Sequence, residues 1–109
     1  MCCRIKSGKA ATENDKAGKW GDYRNCDMPW HTVENAITSA AKEHSDADII
    51  YYTGDFVDHG VWETTMQGNI FIMEKIYKLF KDVFGSKPVY YSLGNHEGDK
   101  FFSTLNENN

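Results

Sequence analysis

Two short runs of β-branched and aromatic residues, each closed by a glycine and a polar loop and separated by one helical pattern, constrain this chain most. Ile49, Ile50, Tyr51 and Tyr52 follow Asp48 and stop at Gly54, while Val89 to Leu93 follow Pro88 and stop at Gly94. Runs of this composition predict short strands, and the first suits a strand buried on both faces. Between them Ile70, Met73, Tyr77, Phe80 and Phe84 recur at helical spacing, and Gly85 stands where a C′ glycine belongs. The pattern predicts a helix over 63–84. Strands so far apart cannot form a hairpin, and a helical crossover makes them parallel and right-handed. The predicted fold class is α/β, built on a parallel βαβ unit.

Upstream, Val33, Ala36, Ile37, Ala40 and Ala41 share one helical face and predict a helix over 32–44, with Thr32 as its N-cap. Residues 1–29 hold no sustained period, carry Gly8, Gly18 and Gly21, and are expected to be irregular, with Trp20, Tyr23 and Cys26 as anchors. The chain thus divides into an irregular cysteine-bearing segment (1–29), a helix-strand-helix-strand core (30–98) and a frayed tail (99–109) ending in Asn106, Glu107, Asn108 and Asn109. A chain of 109 residues is one small domain or part of one. Twelve basic against sixteen acidic residues leave a net charge of -4, so nucleic acid is not an expected partner. No apolar run approaches the ~20 residues of a membrane span, and MCCRIKSGK has no signal core, so an export signal would lie outside these residues.

Cys2, Cys3 and Cys26 make an odd count. In a reducing compartment they would be inert thiols or, with His31, part of a zinc site. In an oxidising one Cys26 would bond Cys2 or Cys3, since adjacent cysteines pair badly, and the leftover thiol would need a partner elsewhere. That leftover suggests a piece of a longer protein.

Loops at the carboxyl ends of parallel strands converge, and ligands collect there. The first loop carries Asp55, Asp58 and His59, and the second carries Asn95, His96 and Glu97. Carboxylate, amide oxygen and imidazole are the donor set of a divalent cation and also acid and base groups. An isolated Gly-Asp usually marks an Asx-turn, Asn95 alone suits a left-handed turn, and His96 alone suits a satisfied loop histidine. Both loops together, one βα unit apart, predict a metal site. Trp20, Trp30 and Trp62 are expected to pack, the stripe on the long helix to form core, and His31 and His44 to be solvated or to cap. Lys75, Lys78 and Lys81 are expected on the exposed helix face.

The "GD" and "GNH" loops, each closing a strand, resemble the calcineurin-like metallophosphoesterases. "CCR" from Cys2, "AGKWGDYRNCDMPWHTVENAI" from Ala17, "YYTGDFVDHGVW" from Tyr51 and "PVYYSLGNHEG" from Pro88 are similar to the acid sphingomyelinase family, a resemblance that runs from Cys2 to about Gly98. It implies that residues 1–109 are a partial metallophosphoesterase catalytic domain of a zinc phosphodiesterase with two metal ions. It further implies that Asp55 bridges the metals, Asn95 ligates one, His96 contacts the phosphate and protonates the leaving alkoxide, and His59 lies near the leaving group. Asp58 and Glu97 are left as outer candidates. By the same resemblance Cys3 pairs with Cys26, Cys2 bonds an upstream cysteine, and the irregular N-terminal segment is pinned by that disulfide.

The implied reaction is hydrolysis of sphingomyelin to ceramide and phosphocholine, in a secreted or lysosomal protein that meets lipid surfaces through parts outside this chain. Two alternatives stand beside it: the acid sphingomyelinase-like phosphodiesterases acting on nucleotides and other phosphoesters, whose loop tends to read GNHD, and a non-catalytic truncated product. The family's DxH and GHxH ligand motifs are not in these 109 residues. Asp55 and Asn95 alone would hold metal weakly, so the chain by itself is expected to be inactive.

Overall fold

The computed structural model describes residues 4–24, 26–60 and 63–97. Its contacts separate into two compact units, Met1–Ser39 and Ala40–Asn109. The expected tail, Trp62, Cys2 and Cys3 lie outside the described residues.

In the second unit, β1 (Ile50–Tyr52) pairs in parallel with β2 (Val89–Tyr91), in the register Ile50 to Val89, Tyr51 to Tyr90 and Tyr52 to Tyr91. The connecting helix α2 spans Met66–Phe84. It starts later than its apolar pattern suggests because Glu63 and Thr64 turn back onto the Gly60 carbonyl, and the Thr65 hydroxyl then accepts from the Gly68 amide at 3.0 Å as N-cap. Gly85 ends it at φ 64, donating its amide to the Lys81 carbonyl at 3.0 Å. The parallel βαβ unit follows the sequence reading.

The core of this unit is aromatic. Phe80 and Ile76 from α2 and Phe56 from the loop after β1 are buried. Tyr52 stacks on Phe56 at 4.7 Å and meets the edge of Phe80 at 5.3 Å, while Tyr91 meets Tyr77 edge-on at 4.3 Å. The predicted helical stripe holds at Met73, Tyr77, Phe80 and Phe84, with Tyr77 against Phe56 and Phe84 against Phe80, while Ile70 at its start is exposed and Ile76 joins the core.

Burial of the first strand on both faces is not what forms. Residues two apart share a face, and the Tyr52 and Tyr91 face meets α2 while Tyr51 and Tyr90 on the opposite face stay 67% and 54% exposed. A single crossover helix covers a single face.

Helix α1 spans Trp30–Glu43, beginning before the predicted cap. Thr32 therefore sits inside the first turn, where its hydroxyl donates to the Trp20 carbonyl instead of capping. His44 lies exposed just past the helix end.

The first unit is irregular, as expected, with 3-10 turns at Ile5–Ser7 and Glu13–Asp15 and a pair of mutual backbone bonds between Gly18 and Gly21. Its anchors differ from the predicted ones. Tyr23 is fully solvated and Trp20 is half exposed, with its ring 5.9 Å from that of His31 and the Lys19 ammonium over its face. Buried Asp22 anchors this segment: its carboxylate accepts from the Arg24 amide at 2.9 Å and from the guanidinium, whose Nη2 also reaches the Asn14 carbonyl at 3.3 Å. Those bonds hold the Asp22 carboxyl at about 2, well below an ordinary aspartate. His31 meets the Lys19 carbonyl through Nε2.

Candidate metal centre at the strand ends

β1 and β2 end side by side, so the loops that follow must pass each other closely. Gly54 at φ 93 and Asp55 at φ 58 turn the first loop sharply. A positive φ is ordinary for glycine and uncommon for aspartate, whose short polar side chain tolerates it best among larger residues. The turn brings Gly54 against Gly94 so closely that a β-carbon on either would overlap backbone of the other loop.

Glu97 ties the two loops together. It is buried, and its carboxylate accepts from the Asp55 amide at 2.8 Å, from the Gly94 amide at 2.5 Å and from the Phe56 amide. Asp55 reciprocates by accepting from the His96 amide through Oδ1 at 3.1 Å. The two carboxylates, together with burial, raise the pKa of Tyr52; burial is the larger cause.

The sequence-predicted residues converge. Asp55 and His96 are joined directly, and the rings of His59 and His96 meet edge to face with centroids 4.4 Å apart. Asn95, beside His96, is exposed at the start of a helical turn over 95–97. His96 is not a satisfied loop histidine, because its Nδ1 is buried with no hydrogen-bond partner among the described residues. Asp58 accepts from the Gly60 amide at 2.7 Å and shapes the loop as an Asx-turn. The sequence named Glu97 without its task, and the only available signal was its place three residues after Gly94.

An acidic oxygen, an amide oxygen and an orphaned imidazole nitrogen at one edge suit a divalent cation. The fit is partial, since three His, Cys, Asp or Glu side chains do not cluster to hold a metal among the described residues. No helix among them is long and apolar enough to cross a membrane.

A parallel strand pair delivering Gly-Asp and Gly-Asn-His loops to one edge is the arrangement of metal-dependent phosphoesterases. The calcineurin-like phosphoesterase family profile matches residues 20–109, and the chain belongs to that family. Among curated relatives, it is 36% identical over 98 residues to sphingomyelin phosphodiesterase 1 of Caenorhabditis elegans, covering 90% of this chain and 17% of that protein. The human sphingomyelin phosphodiesterase is 35% identical over 97 residues, covering 89% of this chain and 15% of the relative. Human acid sphingomyelinase-like phosphodiesterase 3b is 37% identical over 82 residues, or 74% of this chain and 18% of that protein. The chain spans less than a fifth of the length of each of these relatives.

Proposed function

We propose that this chain supplies part of the active site of a zinc-dependent phosphodiesterase that hydrolyses sphingomyelin to ceramide and phosphocholine. The observation that carries the reading is the convergence of Asp55, Asn95, His96 and His59 at the ends of two paired parallel strands, in a chain whose longer alignments are to sphingomyelin phosphodiesterases. Asp55 and Asn95 would hold zinc, which when bound polarises phosphoryl oxygens. His96, whose amide bonds Asp55, would donate a proton to the departing alkoxide of ceramide, and His59, whose ring lies against it, would be the second imidazole nearby. Two donors hold zinc weakly, so the chain by itself is expected to show no turnover.

The reading is tested in a chimera, the nematode sphingomyelin phosphodiesterase 1 carrying this chain in place of its matching segment. Chelator-sensitive release of phosphocholine from sphingomyelin vesicles is expected. Turnover of nucleotide phosphodiesters alone would favour the acid sphingomyelinase-like branch, and a folded chimera inert on both would favour a non-catalytic product.

We also propose that Cys3 is the partner of Cys26 and that the protein is secreted or lysosomal. The disulfide state of Cys26 supports both. Closing a loop of roughly two dozen residues is worth about 3 kcal/mol in the chain-entropy model. Peptide mapping of unreduced secreted protein should recover Cys3 joined to Cys26. A Cys2–Cys26 peptide would refute the pairing, and a free Cys26 thiol would refute the bridge altogether.

A further inference from the structure

We propose that Glu97 is a positioning residue, a carboxylate clasp that holds the two strand-end loops together and thereby fixes the left-handed backbone of Asp55. The amides it accepts come from both loops, Asp55 and Phe56 after β1 and Gly94 after β2. The strand ladder does not serve these amides, because they lie beyond its last bond, from the Ser92 amide to the Tyr52 carbonyl. One buried carboxylate answers them together, and charge-assisted bonds of this kind are shorter and stronger than neutral ones.

The clasp has a geometric consequence. Asp55 adopts φ 58 with a full side chain, a state uncommon outside glycine that aspartate tolerates and that a fixed hydrogen-bond partner helps to hold. The bond from its own amide to Glu97 and the one from its Oδ1 to the His96 amide grip it from both sides. Glu97 thus acts on Asp55 through the backbone and needs no contact with metal or substrate. A glutamine keeps the length but offers one acceptor oxygen in place of two and a donor group facing backbone N–H, so it cannot reproduce the clasp.

The effect on metal rests on the reading of Asp55 as a ligand, and the experiment separates the two. Amide exchange in the full 109-residue chain should show Asp55, Phe56 and Gly94 strongly protected. Glu97→Gln should accelerate exchange at those amides by about tenfold or more while Ile76 and Phe80 in α2 are unchanged. Zinc titration should show affinity reduced by about 10- to 100-fold in Glu97→Gln, the loss typical when a supporting group around a ligand is removed. Unchanged exchange at the three amides, or equal acceleration at Ile76 and Phe80, would overturn the clasp. If exchange accelerates as expected but Asp55→Asn leaves zinc affinity intact, the clasp stands and the ligand reading of Asp55 fails. Should Glu97→Gln not fold, scalar couplings across the hydrogen bonds from the three amides to the Glu97 carboxylate carbon in the unmodified chain decide the matter: their presence supports the clasp and their absence overturns it.

Discussion

Gly54→Ala should cost this chain about 2–6 kcal/mol, combining roughly 1–3 kcal/mol for a β-carbon at a positive φ with roughly 1–3 kcal/mol for overpacking. Gly54 sits at φ 93, and an added methyl would collide with the Gly94 backbone, which has no flexible side chain to move aside. A small domain holds about 5–15 kcal/mol in total, so the variant should be marginal or unfolded at room temperature. Gly85→Ala is the control. It too has a positive φ, at 64, but nothing lies within 4 Å of the added carbon, so it should lose only the strain. Denaturant midpoints followed by near-ultraviolet circular dichroism of the tyrosine cluster would measure both. Equal losses for the two variants would show that the loops do not approach as closely as described.

His96→Gln in the chimera should lower kcat by ~10²- to 10⁴-fold, the range for loss of a general acid, while keeping the fold and nearly all the zinc. His96 contributes its amide to Asp55, a bond that glutamine preserves, whereas the imidazole with its buried Nδ1 is the part removed. Asp55→Asn is expected to lose zinc as well as turnover, so parallel metal analysis and initial rates tell a proton donor from a ligand. If His96→Gln retains activity within a few-fold at saturating substrate, the acid role passes to His59, whose ring lies against it.

These two variants probe different levels of the same junction. Gly54 permits the loops to touch, Glu97 joins them, and only then do Asp55 and His96 face one another. The first level was visible as a glycine after each strand run. The second was not, because which backbone amides a carboxylate will serve depends on where another loop passes, and Glu97 and Phe56 are 41 positions apart.

Local chemistry alone decided the elements: the spacing of Tyr77, Phe80 and Phe84, the C′ glycine at 85 and the aromatic strand runs lead to α2, β1 and β2 with little ambiguity, since period and capping act over a few residues. The donor types at the strand ends were equally plain, because parallel βαβ topology sends both loops to one edge. Tertiary structure decided what required knowing neighbours distant in sequence. It placed Ile76 rather than Ile70 inward, left the Tyr51 face open, engaged Thr32 with the Trp20 carbonyl instead of a helix end, and anchored the irregular segment on Asp22 and Arg24 rather than Tyr23. Among the described residues it also left His96 Nδ1 buried without a hydrogen-bond partner while assigning Glu97 to the amides of both loops. Burial and hydrogen-bond satisfaction are properties of surroundings, and a linear pattern names the residue types that can meet without showing which of them do.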